Sequence, residues 1–355
     1  MNTRSLQKGI QTLSPAYFAL AMSTGTISIA SYLLGYPVIS NCLFVINNIE
    51  FVILFLFFVF RLVFYFPDFK RDLSSHAEGA GFLTLIAAAC ILGVEYALLR
   101  SDFGMATILW YGALGAWIVL VYSFFILVTI KKKKPSLENG INGSWLLFVV
   151  SVQSLSILGT ILTHNSSLSM PDMLFINLFF YLLGVLFYLI VIGMIFYRTT
   201  FFPMRADEFK PSYWIDMGAA AITTLAGVLL IKNTNAIVVH QDFIPTIKVL
   251  SVLFWIAGTW WIPVIVFLEV WRHKVIPLKY NPGYWSLVFP LGVYTVCTFE
   301  LSDVIGLTFL KKIPDVFIYV AWLAWLVIFT GMLAGLTKEF LLNKNDFYEV
   351  DKAQE

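Results

Sequence analysis

The chain has 355 residues, of which 59% are hydrophobic and 12% are charged, with a formal net charge of +2. Soluble globular domains carry about a quarter of charged residues, so the composition excludes that class. The small net charge gives no support for a nucleic-acid partner. We therefore expect one membrane domain over residues 14–340, between a cytoplasmic N-terminus (1–13) and a cytoplasmic tail (341–355).

Ten apolar segments follow one another along the chain, each long enough for the roughly 20 helical residues that cross a hydrocarbon core. They lie near residues 14–34, 41–66, 79–99, 104–130, 143–163, 171–197, 213–231, 243–271, 284–307 and 315–340. The predicted fold class is all-α integral membrane, with ten transmembrane helices.

The segments alternate in composition. The five odd-numbered segments hold nineteen Ser and Thr and five Phe, whereas the even-numbered five hold eight Ser and Thr and twenty-one Phe. In lipid, bulky apolar side chains can face acyl chains, while small and hydroxyl-bearing residues face other helices or a wet cavity. The pattern predicts five helical hairpins, each with one inner and one outer helix, around a central pore.

The distribution of basic residues predicts the orientation. With the N-terminus inside, eighteen of the twenty-three Lys and Arg fall on the cytoplasmic side, and Lys131 to Lys134 form the strongest anchor. The positive-inside rule and the even number of segments both place the two termini in the cytoplasm. The expected location is the cell membrane, with the lipid bilayer as a partner.

Catalytic and metal-binding patterns are absent from the sequence. His76, His164, His240 and His273 all fall in predicted loops on opposite sides of the membrane, and the three Cys are far apart without a CxxC pair. There is no P-loop, HExxH, GxSxG or Gly-rich dinucleotide turn. We predict no enzyme activity, no metal and no cofactor.

Residues of the inner segments are candidates for lining a pathway because they are small, carry hydroxyls or interrupt a helix. We expect this lining to include Thr24, Gly25, Ser151, Thr224, Pro290 and Thr295. Phe289, directly before Pro290, either projects into the pathway as a constriction or is an ordinary core phenylalanine.

Two acidic residues of the ninth segment, Glu300 and Asp303, lie three apart on one helix face. An acidic residue within a membrane span suggests a function. Three interpretations stay open for this pair: proton coupling, lining of a vestibule, or pairing with Lys248.

Three stretches carry a family resemblance: SPAYFALAMSTGTISIA, YWIDMGAAAITTLAG and WSLVFPLGVYT. They resemble the tellurite-resistance/dicarboxylate transporter family, which includes the yeast malate permease, sulfite efflux pumps and plant slow anion channels. The resemblance implies five helical hairpins around a pore, anion transport, a homotrimer, and a pore-blocking phenylalanine at the position of Phe289.

The expected function is transport of a small anion, with four-carbon dicarboxylates such as malate as the first candidate. The alternatives are export of sulfite or another oxyanion, or, in a different class, a membrane-embedded enzyme or a sensor without flux. For the implied trimer, we expect some of five large aromatics to pack between subunits: Trp255, Trp260, Trp261, Trp322 and Trp325.

Overall fold

A computed structural model of the chain describes residues 7, 9–234, 242–277 and 280–352, without the side chains of 234 and 339–352. His240 lies outside the described residues, as do Arg4, Lys8 and Lys279, which are three of the eighteen basic residues predicted on the cytoplasmic side. Ten of the described helices are long and apolar enough to cross a membrane, and the described residues contain no β-strand. The predicted ten-helix, all-α membrane fold is confirmed.

The ten helices, in chain order, are α1 Pro15–Leu33, α2 Pro37–Phe64, α3 Gly79–Arg100, α4 Phe103–Ile130, α5 Gly143–Ile161, α6 Met170–Phe201, α7 Pro211–Asn233, α8 Ile244–Val275, α9 Pro282–Ile305 and α10 Thr308–Lys338. The last helix continues to Lys352. A short helix, Phe66–Leu73, follows α2, and a single turn, Leu137–Gly140, follows α4.

The odd-numbered helices share a way of starting. Each begins with a 3-10 turn before the α-helix, as at Pro15–Phe18 and Pro211–Trp214. Proline is tolerated there because the first amide groups of a helix have no partner within the helix. The same rule explains a difference from the sequence prediction: α2 begins at Pro37, not near residue 41.

Burial separates the helices into two groups. In α1, α3, α5, α7 and α9, between 72% and 94% of the most apolar window is buried, against 22% to 39% in the even-numbered helices. The predicted division into inner, hydroxyl-rich helices and outer, phenylalanine-rich helices agrees with these values.

Contacts between helices follow the chain order. Each inner helix packs against the outer helix that follows it, and it also packs against the next inner helix. The ninth helix in turn packs against the first. Contacts among the inner helices therefore close into a cycle, with the five starting turns at one end and the five C-terminal ends at the other.

Two buried arginines fix the loops at the end where the inner helices start. Arg61 donates to the carbonyl oxygens of Gln11 and Leu13 at 3.1 and 2.8 Å, and it forms an ion pair with Asp72. Arg198 donates to the carbonyl oxygens of Glu138 and Pro203 at 2.8 and 3.1 Å, and pairs with Glu208 at 3.1 Å.

Most of the tryptophans assigned to a trimer interface have contacts within the chain. The indole N–H groups of Trp255, Trp322 and Trp325 donate at 3.0 Å to hydroxyl oxygens of inner helices. Trp261 is buried, and Trp260 is exposed. These contacts join outer to inner helices, and Trp260 is the most exposed of the five tryptophans.

Candidate functional site

A cavity of about 120 Å³ lies among the C-terminal halves of the five inner helices, and we call it the axial cavity. Every inner helix contributes residues three or four positions apart, which lie on one helix face, and α3 adds Cys90 directly before Ile91. The lining residues are Thr26, Ile29 and Leu33; Cys90, Ile91, Val94 and Leu98; Ser154, Ile157 and Ile161; Ile222, Leu225 and Leu229; and Phe289, Val293, Val296 and Glu300.

Among the residues that the structure describes, the wall of the axial cavity is mainly apolar and contains no basic residue. Its two hydroxyl groups already donate to their own helices, Thr26 to the Met22 carbonyl at 2.6 Å and Ser154 to the Val150 carbonyl at 2.8 Å. An anion in the cavity would therefore lose hydration without meeting a cation or a free hydroxyl donor in the wall. Such a wall suits passage better than tight binding.

Phe289 lies at one end of the axial cavity. It shares a stripe of α9 with Val293, Val296 and Glu300, and the eleven positions from Phe289 to Glu300 span about 16 Å of helix. The Phe289 side chain is 1% exposed. Among the lining residues of α9, Phe289 is the nearest to the starting turns. The described cavity does not continue from Phe289 towards those turns.

The neighbouring helix α7 leaves room for this part of α9 through Gly218. A Cβ atom at position 218 would lie 2.8 Å from Pro290 Cγ and 3.4 Å from Phe289 Cε1. The close approach of α7 to Phe289 and Pro290 therefore depends on glycine, which has no side chain, at position 218. Pro290 has no amide hydrogen for the Ser286 carbonyl, yet α9 continues as a helix through this position.

The structure places Phe289 in the axial cavity wall and places the six other predicted lining residues outside it. Gly25 and Pro290 are at close helix contacts. The four hydroxyls have protein partners: Thr24 accepts from Trp325, while Ser151, Thr224 and Thr295 donate to carbonyl oxygens one turn earlier. As lining residues of a pathway, these six stay predictions.

A group of charges surrounds the end of the axial cavity opposite Phe289; we call Lys232, Glu300, Asp303 and Lys311 the mouth cluster. Glu300 forms an ion pair with Lys232. Asp303 lies 2.8 Å from Lys311 Nζ and 3.7 Å from Lys232 Nζ. The expected partner Lys248 is instead exposed. Lys232 takes that role because it lies in the last turn of α7, which packs directly against α9.

Sequence reasoning missed several lining residues, above all Thr26 and Ser154. A signal for them existed, since Phe289, Val293, Val296 and Glu300 repeat at helical spacing along α9. To apply the same spacing to the other inner helices, one must know which face of each helix points at the cavity. The sequence does not reveal that face, because these helices are buried on nearly all sides.

No group of three or more His, Cys, Asp and Glu side chains is arranged to hold a metal ion in the part of the chain that the structure describes. The arrangement offers a conduit-like cavity with a buried ring at one end and balanced charges at the other.

Comparisons with known proteins agree with this geometry. A family model described as voltage-dependent anion channel matches residues 12–333. An uncharacterized transporter of Methanocaldococcus jannaschii is 25% identical over 317 residues, which cover 85% of this chain and 90% of the relative. An uncharacterized membrane protein of Mycobacterium tuberculosis is 35% identical over 153 residues, 42% of this chain and 76% of the relative.

Proposed function

This chain belongs to the voltage-dependent anion channel family, and from that premise we propose that it carries small anions across the membrane through the axial cavity. The observation that supports this most is the cavity wall, to which all five inner helices, and none of the outer helices as far as they are described, contribute. The path would run parallel to the inner helices and leave at the mouth cluster.

Phe289 is the proposed gate. Its ring is buried at the end of the axial cavity, and the closed region lies between it and the starting turns of the inner helices. An apolar ring across a narrow apolar path blocks ions by occlusion and by excluding water. Movement of the ring would join the cavity to the other side of the membrane.

The proposed substrate is a small anion with a single charge. The cost of removing an ion from water rises steeply with its charge, and the wall of the axial cavity has no cation to offset that cost. Malate remains the first dicarboxylate candidate and would pass as its monoanion. Sulfite would pass as bisulfite.

The mouth cluster is proposed to form a vestibule. Glu300 and Asp303, considered above for proton coupling, have lysine partners in Lys232 and Lys311. The two carboxylates and two ammonium groups balance, so the entrance does not repel an anion as two unpaired carboxylates would.

We place the chain in the cell membrane with both termini in the cytoplasm, which puts the mouth cluster outside. Assembly as a homotrimer with one path per subunit would cover part of the exposed faces of the outer helices. Native mass spectrometry in mild detergent tests this assembly, and a single monomeric species at micromolar concentration would contradict it.

Anion flux into proteoliposomes tests the function. Purified protein should move chloride, nitrate, bisulfite or malate faster than protein-free vesicles do. Val293→Phe adds a ring to the cavity wall and should abolish flux, whereas Val249→Phe adds the same ring at an exposed position of α8 and should not. Absence of flux for all four anions would favour the rival classes, a membrane-embedded enzyme or a sensor. Equal flux in the two variants would show that anions do not use the axial cavity.

A further inference from the structure

Two carboxyl groups are buried between α2 and α3 at a distance from the mouth cluster. Glu95 on α3 is fully buried and Glu50 on α2 is 8% exposed. Asn47 Nδ2 donates to Glu95 Oε2 at 2.5 Å. Among the described residues, Glu95 Oε1, both oxygens of Glu50 and Asn47 Oδ1 have no partner at hydrogen-bond geometry, and the hydroxyls of Thr24 and Ser28 on α1 approach Glu50 and Glu95. We call Glu50 and Glu95 the carboxyl pair.

On the surrounding helices, which lie within the described residues 9–234, no cation is available to the carboxyl pair. On α2 the basic residue is Arg61, eleven positions or about 16 Å from Glu50 along the helix and held by Asp72 and two carbonyls. On α3 it is Arg100, exposed near the helix end with its guanidinium over the Phe44 ring at 4.8 Å.

The other helices around the pair also lack a partner charge. α1, α4 and α5 pack against α3 and contain no Asp, Glu, His, Lys or Arg. Asp68, Lys70, Arg71 and Asp72 are on the short helix beyond the far end of α2. The remaining titratable groups on α3 are Cys90, in the cavity wall, and Tyr96, whose hydroxyl donates to Asn48 at 2.6 Å.

This environment favours carboxyl groups that hold their protons. An ionised carboxylate inside a membrane protein without a cation costs several kcal/mol, and protonation removes that cost. The open carboxyl oxygens and the open amide oxygen of Asn47 leave room for a bound proton. The Asn47 amide donates to one carboxyl and leaves its own oxygen open, and Glu50 lies three positions from Asn47 on the same helix face.

One layer of side chains separates the carboxyl pair from the axial cavity. Val94, which directly precedes Glu95 in the sequence, lines the cavity. Ile91, one helical turn before Glu95, lines it as well. Gly25 of α1 lies against the same group, since a Cβ there would be 2.6 Å from Ile91 Cγ2 and 3.0 Å from Glu95 Oε2. An ionised Glu95 would repel an anion across this thin, apolar layer, and a protonated Glu95 would not.

We propose that the carboxyl pair is a proton-binding site inside the membrane, and that a proton bound there accompanies each anion through the axial cavity. The first part stands on the pair alone; the second part rests on the proposed function. By linkage, an anion in the cavity strengthens proton binding at Glu95, and the bound proton strengthens anion binding equally. Acidification on the side of anion entry therefore speeds transport.

Difference infrared spectroscopy tests the first part without any transport. The full-length protein should show the carbonyl-stretch band of protonated carboxylic acids at neutral pH, and alkaline titration should remove it. Glu95→Gln and Glu50→Gln should each remove part of that band, while Glu78→Gln, at an exposed loop carboxyl, should leave it unchanged. A wild-type protein without the band at neutral pH overturns the proton site, even if neither variant folds.

Proteoliposomes loaded with a fluorescent pH indicator test the second part, with chloride and nitrate as the probes, because neither anion carries a proton of its own. In the wild type, proton uptake should equal anion uptake. In Glu95→Gln, proton uptake should fall to the level of protein-free vesicles while anion uptake continues and loses its dependence on pH. Anion flux in the wild type without proton uptake overturns coupling. Absence of both fluxes defeats the proposed function, and the infrared result then decides the proton site by itself.

Discussion

Replacing Phe289 with alanine separates a gate from an ordinary core residue, because the two roles predict opposite changes in flux. The ring is 1% exposed and faces the axial cavity on one side and the Gly218 region of α7 on the other. Truncating a buried phenylalanine costs about 3–5 kcal/mol of stability. We expect the lower end of that range, since part of the ring borders empty space rather than packed atoms.

The gain in flux follows from the barrier that the ring imposes. Each 1.36 kcal/mol removed from a barrier raises the rate about tenfold. If the ring is the main obstacle, removing it should raise chloride or nitrate flux per folded protein by at least about tenfold. The assay is initial anion flux into proteoliposomes, normalised to the folded protein recovered by size-exclusion chromatography.

Phe148→Ala provides the matched control. Phe148 on inner helix α5 is also 1% exposed, but its ring packs against Phe124, Phe125 and Trp145 and lies outside the axial cavity wall. Its loss should lower folded yield without raising flux. A Phe289→Ala variant that behaves in the same way, with reduced yield and unchanged flux, would refute the gate.

Three further perturbations have expected outcomes. Gly218→Val should push α9 away from α7, because its Cβ would lie 2.8 Å from a Pro290 carbon. The variant should therefore have a lower melting temperature and a lower anion flux. Gly112→Ala, at a position with open space around it, should change neither quantity. Arg61→Ala should cost about 3–5 kcal/mol, measured as a loss of thermal stability in detergent, because the buried guanidinium joins the N-terminal segment to α2; wild-type stability would contradict this role. Partial burial and two nearby lysines lower the pKa of His76 in the folded protein. The unfolded chain therefore binds a proton first, and the stability of the fold should fall as pH drops through about 6.5. His76→Gln should reduce that fall, and a variant with the same pH profile of stability as the wild type would refute the assignment.

The sequence determined the class and the layering of the molecule, for a physical reason that acts on each segment separately. A helix that faces lipid tolerates phenylalanine, and a helix that faces other helices needs small and hydroxyl-bearing residues. The ten segments and their inner and outer groups could therefore be predicted without knowing how the helices are arranged. The starts of the helices were less certain. Because proline is tolerated in a first helical turn, α2 begins at Pro37, four residues before the predicted start.

The tertiary structure decided which side chains share a site. Thr24 and Thr26 are two positions apart on one helix and equally plausible in the sequence, yet Thr26 lines the axial cavity while Thr24 accepts a hydrogen bond from Trp325 of α10. The difference lies in the rotation of α1 about its axis, which is set by all of its neighbours together. An inner helix is buried on every side, so its hydrophobic pattern carries little information about that rotation.

The same limit applies to the charges. Glu300 could be recognised as an acid within a span, but its pairing with Lys232 instead of Lys248 depends on α7 lying against α9. Glu50 and Glu95 are forty-five positions apart in the sequence, and only the packing of α2 on α3 brings them into one apolar region without a cation. Local composition thus fixes where a helix lies relative to lipid, whereas partners between helices are fixed by long-range packing.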